Sequence, residues 1–365
     1  MRKDWRAVLG FGITALLLWW VLRDVDLREV WLEVRGANFW LLGLAVAIAT
    51  SNYLFRAMRW EILLRPIHPG TTLRSRFAAV NIGFMASNLL PVRAGEFFRP
   101  YALSRMEPVS VSGAFGSLVV ERFLDSLAIA ALLFVALAAP GFPEDPRVWD
   151  LSLAVWIRGI LVLLGILLAG MILLLAFPRT LVRMVEKVAA FLPGKKASRL
   201  VVDVFAAFLD GLKVLQSPWL LVKAAVWSLA IWLYQSLAFW VAFQAFGITV
   251  GYDVALFVNA VVALTVAAPA APGFIGTFHA GVKGGLGVYG VPAASTTALA
   301  FGFHLGGFIP VTLIGLYYAW TLGLSLGEVR ESETRVEEAV ERSHSVAGEP
   351  AGRGGEAGDE GGVNA

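Results

Sequence analysis

The sequence predicts an all-α polytopic membrane protein of about six full spans and two re-entrant hairpins. Apolar residues fill 58% of its 365 positions and charged residues only 16%, beyond ordinary soluble usage. Mean hydropathy is +0.72. Apolar runs long enough to cross the roughly 30 Å hydrocarbon core recur along the chain. There is no cysteine and only four histidines, so neither a disulfide framework nor a thiolate metal site is expected. No cofactor, metal or nucleic-acid partner is expected either.

The first run, Ala7 to Leu22, follows Arg2, Lys3 and Arg6 and ends in Trp19, Trp20 and Arg23 without a small-residue cleavage site, so it reads as an uncleaved span. Full spans follow at about 37–55, 109–139, 153–177, 218–246 and 293–326. Two further apolar stretches are broken by Pro and Gly. One runs from about Phe77 through NLLPVRAGEFFRP (Asn88–Pro100), the other from about Tyr252 through APAAPGFIGTFHAG to Leu286. Irregular backbone at membrane depth is tolerated only where it is enclosed by protein or lines a watery cavity.

Basic residues set the expected orientation. Residues 56–76 hold five arginines (Arg56, Arg59, Arg65, Arg74, Arg76) and 178–217 hold seven Lys and Arg, so both are expected on the cytoplasmic side. Residues 140–152 carry Arg147 against Glu144, Asp145 and Asp150, and 247–253 carry no basic residue, so these face outward. Only if the broken stretches are hairpins, the first entering from the cytoplasm and the second from outside, do the sides alternate correctly. Both termini are then cytoplasmic, in the cell inner (cytoplasmic) membrane. The hairpins also match at an offset of 178 residues, pairing Asn81, Pro91 and Gly95 with Asn259, Pro269 and Gly273. The spans flanking each fall into approximate register, and the opposed directions suggest an inverted repeat of the kind found in secondary transporters.

Charges in such a chain are costly, roughly 2.5–3.5 kcal/mol each at a helix centre on insertion scales, so their clusters mark function or a closed ion pair. The first hairpin carries Arg93, Glu96 and Arg99. The next span carries Glu121, Arg122 and Asp125, placed on one helical face by i+3 and i+4 spacing. Two readings stay open: a buried ion pair closing that helix against Arg93 or Arg99, or three arginines converging on an anionic lipid head group while Glu96, Glu121 and Asp125 orient them or carry protons. Arginine suits phosphate because its planar fork binds bidentately and stays charged. Asn88, Pro91, Gly95, Pro269, Pro272, Gly273 and Gly276 are expected to shape the hairpins. His279, Lys283 and His304 are candidate proton or head-group contacts, since histidine titrates near neutrality. The glycines of GVKGGLGVYG have no preceding strand and no nucleotide-motif spacing, so ATP is not implied.

Asn88, Pro91, Arg93, Gly95, Glu96 and Arg99, followed by Glu121, Arg122 and Asp125, resemble the signature of the flippase-like family typified by the membrane region of lysylphosphatidylglycerol synthases. PGFIGTFH (Pro272–His279) and FHLGGFIP (Phe303–Pro310) are similar to its second-half motifs, so the resemblance spans most of 5–326. It implies a polytopic fold that flips lipids with polar or phosphorylated heads, or that serves a fused head-group-modifying domain. No soluble aminoacyl-transferase domain follows residue 326, so lysyl transfer is not expected. Many relatives carry Glu where His279 stands, and no carboxylate role is carried to that position.

Residues 178–217 alternate apolar and basic positions at helical spacing, as in an amphipathic pair on an anionic inner leaflet. They belong to a membrane domain covering 1–327. Residues 328–365 hold ten acids and four arginines, net −6, which leaves the membrane body at +9 within the total of +3. Their Gly-rich end is expected to be disordered. The sequence thus reads as a non-enzymatic lipid flippase or transporter for an anionic phospholipid or polyprenyl-phosphate-like lipid. The alternatives are a scaffold for a separately encoded lipid-modifying enzyme, or an intramembrane lipid-phosphate enzyme using Arg93, Arg99 and Arg122 with His279 or Glu121. No nucleophile supports the last.

Overall fold

The computed structural model describes residues 12, 15–23, 25–90, 95–144, 146–148, 151–189, 195–267 and 272–324. Pro91, Arg93, Pro269 and the 328–365 tail lie outside them. A short helix over 15–22 precedes α1 (Leu27–Gly36), α2 (Phe39–Leu64), α3 (Leu73–Leu89), α4 (Gly95–Met106) and α5 (Val111–Leu137). Next come a two-residue antiparallel bridge between Arg147–Val148 and Leu151–Ser152, α6 (Leu153–Ala176), α7 (Pro178–Ala189) and α8 (Lys195–Gly211). The chain continues with α9 (Pro218–Ala245), α10 (Tyr252–Ala267), α11 (Thr277–Gly287) and α12 (Ala293–Thr321).

Local chemistry sets several of these boundaries. The side chains of Asn38, Thr72 and Ser110 accept hydrogen bonds from first-turn amides of α2, α3 and α5. Pro218 opens α9, where a missing N–H costs nothing. Helices α2, α6, α9 and α12 are long and apolar enough to cross a membrane. At 27 residues α5 rises about 40 Å and is equally long, although it carries Glu121, Arg122 and Asp125. Helices α4 and α11 have 12 and 11 residues, about 16–18 Å, short of a full crossing.

The two broken stretches are antiparallel helical hairpins. A Cβ on Gly95 would lie 1.8 Å from the Gly83 carbonyl oxygen, and one on Gly83 would lie 2.8 Å from Arg99 Cβ, so α3 and α4 meet backbone to backbone. In the second hairpin Gly281 and Gly285 of α11 press on Val262 and Val258 of α10.

The 178-residue offset holds throughout. It carries α2, α3, α4 and α5 onto α9, α10, α11 and α12 to within a few residues at most ends. The equivalent helices α2 and α9 pack antiparallel: the Ser51 and Tyr234 hydroxyls share a hydrogen bond of 3.0 Å, Asn52 donates to Gln235 at 2.8 Å, and Arg59 donates to Ser228 at 2.7 Å. Antiparallel equivalents are related by a pseudo-twofold axis perpendicular to their length, which lies in the membrane plane when the helices span it. The repeat is therefore inverted. Its halves are also exchanged, since α3 packs on α12 and α10 packs on α5. Gly315 of α12, for example, sits against Met85 and the Asn81 carbonyl of α3.

The span expected at about 37–55 runs longer than the sequence suggests: α2 continues to Leu64 and carries Arg56 and Arg59 into the interior. Arg76 is buried on α3, where it donates to the Ala57 carbonyl at 3.0 Å and to Glu61 at 3.2 Å. Only Arg65 and Arg74 of the five stay exposed. Buried acids on α5 hold the Arg56 and Arg59 guanidiniums inside, so these two arginines are placed by pairing.

Candidate functional site

Glu121 is 0% exposed and is the hub of the charged cluster. Arg99, from the start of α4, donates to both its oxygens at 2.6 and 3.0 Å and lies 4.0 Å over the Trp60 ring. Arg122 donates to Glu121 at 2.8 Å, and Arg59, also 0% exposed, lies 3.2 Å away. Asp125, one turn on, accepts from Arg59 and from Trp232 Nε1, the latter at 3.0 Å, and faces Arg122 at 3.8 Å. Ser228 and Ser117 complete the polar shell through Arg59 and Trp60.

Arg56 is different. Its one ion-pair contact among the described residues is a long 3.7 Å to Asp125, and its guanidinium lies 5.6 Å from the Phe84 ring and 5.5 Å from the Trp232 ring. Such contacts hold a cation without neutralising it.

Four guanidiniums (Arg56, Arg59, Arg99, Arg122) therefore meet two buried carboxylates. That is a surplus of two positive charges, or one when half-buried Glu96 is added. Glu96 makes no ion pair among the described residues. It lines, with Arg56, Arg99, Arg122 and Asp125, a cavity of about 260 Å³ between the first hairpin, α5 and α10. A second cavity of about 220 Å³ adjoins it, sharing Arg56, Phe84 and Trp232 and extending to Tyr53, Asn88, Gln235, Asn259 and His304.

Of the hairpin-shaping residues, Gly95 lines the first cavity and Asn88 the second. Asn88 donates to Thr312 on α12 at 2.8 Å. Pro272 opens a 3₁₀ turn in which Gly273 has φ +72°, and a Cβ there would lie 2.9 Å from the Phe308 ring. Gly276 also has positive φ, +91°, a conformation costly for any side-chain-bearing residue.

The second constellation separates. His279 is buried, and its Nδ1 accepts from the Gly276 amide at 3.4 Å. His279 and His304 rings lie 5.0 Å apart, with His304 stacked on Phe278 at 4.5 Å and lining the second cavity. Lys283 leaves this pair. Its ammonium donates to the Trp20 and Val21 carbonyls at 3.2 and 2.9 Å, at the end of the first helix. Among the described residues no group of three His, Asp or Glu is placed to hold a metal ion.

Sequence reasoning missed Arg56, Arg59 and Trp232. The spacing that reveals the first two is Asn52, Arg56, Arg59, a single helical face reciprocal to Glu121 and Asp125 four apart on α5.

A family model described as "Lysylphosphatidylglycerol synthase TM region" matches residues 7–315. A UPF0104 membrane protein of Methanothermobacter thermautotrophicus is 22% identical over 330 residues, covering 87% of this chain and 93% of that protein. UPF0104 membrane protein MJ1595 of Methanocaldococcus jannaschii is 23% identical over 70% of this chain and 77% of its own length. "Glycosyltransferase AglD" of Haloferax volcanii is 29% identical over 141 residues, 38% of this chain but only 23% of that protein. No solved structure matches.

Proposed function

The chain belongs to the lysylphosphatidylglycerol synthase TM region family, and from that premise we propose that it moves an anionic lipid, a phospholipid or a polyprenyl-phosphate-like lipid, between membrane leaflets without chemical conversion. The observation that carries this reading is the positive surplus around a partly open cavity. An unpaired buried charge costs several kcal/mol, so a surplus of one to two charges matches a phosphate head group, which brings one negative charge as a diester and up to two as a monoester.

Size favours the head group alone. At about 260 Å³ the cavity falls below the roughly 300–1,000 Å³ of pockets that enclose drug-sized ligands. The chains of the lipid would remain in the bilayer. Arg56 and Arg122 would meet the phosphate: both line the cavity, Arg56 has no short ion pair, and Arg122, although it donates to Glu121, is the most exposed of the four guanidiniums, whereas Arg99 and Arg59 are buried against Glu121 and Asp125. Arg93 and Glu96 on the first hairpin would complete the site. The location proposed is the cell inner (cytoplasmic) membrane, with both termini cytoplasmic.

The name of the Haloferax relative favours a second reading, in which this domain serves a separately encoded lipid-modifying enzyme. Native mass spectrometry of the purified protein separates the two, followed by leaflet-to-leaflet transfer of labelled phosphatidylglycerol and polyprenyl phosphate in vesicles. The transport reading expects bound anionic lipid that Arg56→Gln and Arg122→Gln release, and transfer that both variants lose. Folded variants with wild-type lipid binding and transfer would refute the site. Bound lipid without any transfer by the wild type would favour the service role.

A further inference from the structure

Helix α7 presents a basic stripe. Arg179, Arg183 and Lys187 recur every four residues, which sets them on one helical face, and all three are exposed without an ion pair among the described residues. Glu186 stands beside them, so the face carries a net charge of +2. Leu181, Met184, Val185 and Val188 occupy the opposite side, and Met184 and Val188 are 58% and 69% exposed. Such an apolar face belongs in a membrane interface. With it there, the basic stripe turns away from lipid and toward water.

The acidic C-terminal segment, which lies outside the described residues, starts from the same end of the molecule. Leu322 and Leu324, just after α12, pack on one apolar cluster with Leu174 of α6 and Phe208 and Leu209 of α8, whereas residues 298–300 and 303 near the start of α12 belong to another. Helix α7 packs on α8 and is joined to it by five residues, so its first turn lies back near the end of α8. Glu333 is nine residues past Leu324, an extended reach of about 30 Å, or roughly three helix diameters. Glu333, Glu337 and Glu341 repeat the four-residue spacing of the stripe. The charges match as well: residues 178–211 hold six basic and three acidic residues, net +3, and 328–342 hold six acidic residues and three arginines, net −3.

We propose that segment 328–342 docks on α7, with Glu333, Glu337 and Glu341 against Arg179, Arg183 and Lys187, and so withholds this basic face from other anions. The contact stands whether or not the protein moves lipid. The chain has no cysteine, so the pair Thr180→Cys and Thr334→Cys, each beside its stripe, reports docking by oxidant-induced disulfide formation in the full chain in nanodiscs. An internal bond is expected in phosphatidylcholine alone and with phosphatidylglycerol added. Its formation should slow about 5-fold or more between 0.1 and 1 M salt, as the Debye length falls from about 10 to 3 Å. Adding Glu337→Lys and Glu341→Lys, which leave the membrane body untouched, should abolish the bond, and further adding Arg183→Glu and Lys187→Glu should restore it. A bond that survives the Glu337→Lys, Glu341→Lys reversal or is indifferent to salt overturns the proposal, as does no bond in either lipid. A bond lost only when phosphatidylglycerol is present gives the stripe to the leaflet, and disulfide-linked dimers give it to a second copy; both overturn the proposal.

Discussion

Removing the charge of Glu121 should damage the protein more than removing any one arginine beside it. Arg99, Arg122 and Arg59 all converge on this carboxylate within 3.2 Å. In Glu121→Gln the shape is kept, but Arg99 and Arg122 lose their main partner and Arg59 its second one, and the cluster goes from four cations against two buried anions to four against one. Breaking a buried pair in this way costs about 3–5 kcal/mol. At roughly 2 °C per kcal/mol for a chain this long, melting in detergent should fall by about 6–10 °C. Arg99→Met is the control. It leaves Glu121 with Arg59 and Arg122 and lowers the positive surplus, so its cost is that of a charge-assisted hydrogen-bonded contact, about 1.5–3 kcal/mol. The reasoning fails if Glu121→Gln melts within 2 °C of wild type or if Arg99→Met proves the more damaging of the two.

Three further outcomes are expected. Gly95→Ala would put a Cβ 1.8 Å from the Gly83 carbonyl and should split the first hairpin, seen as loss of a monodisperse gel-filtration peak, whereas Gly43→Ala, in the interior of α2, meets nothing within 4 Å and should stabilise by about 0.5–1 kcal/mol. Burial opposes ionisation of Glu107, but the Thr72 amide, the Ser75 and Thr72 hydroxyls and His68 outweigh it and hold its carboxyl below the ordinary 4.5. A depressed acid stabilises above its unfolded value and loses that contribution as pH falls through its folded value. Exchange protection of the Thr72 amide should therefore drop below pH 4.5, and Glu107→Gln should remove the dependence. Gly211→Leu should separate α8 from α5, because a Cβ there already lies 2.3 Å from the Gly113 carbonyl; unchanged protease resistance of the 195–211 segment would contradict this.

Most of the architecture was legible in the sequence because membrane burial leaves long unbroken apolar runs. The expected spans at 109–139, 153–177 and 218–246 fall within two residues of α5, α6 and α9. The repeat was legible through Pro and Gly, which mark backbone breaks whatever surrounds them. The arginines of α2 were not. Arg56 and Arg59 follow an apolar run, where a basic residue ordinarily signals a loop, and the acids that draw them inward stand more than sixty residues later. Composition along one helix cannot show that its charge is cancelled by another. The same blindness applied to Lys283, whose partners are backbone carbonyls of the first helix.

The exchanged packing of the halves also has a consequence in time. Helix α3 finds its partner in α12, whose first residue is made nearly 190 residues after α4 ends. At roughly 5–20 residues per second, the first hairpin waits about 10–40 s for the surface that covers it. During that interval Arg99 can already meet Glu121 on α5, while the α12-facing side of α3 has only lipid beside it. The ion cluster can thus close before α12 arrives, and the first hairpin is tied to α5 by charge before its remaining face is packed.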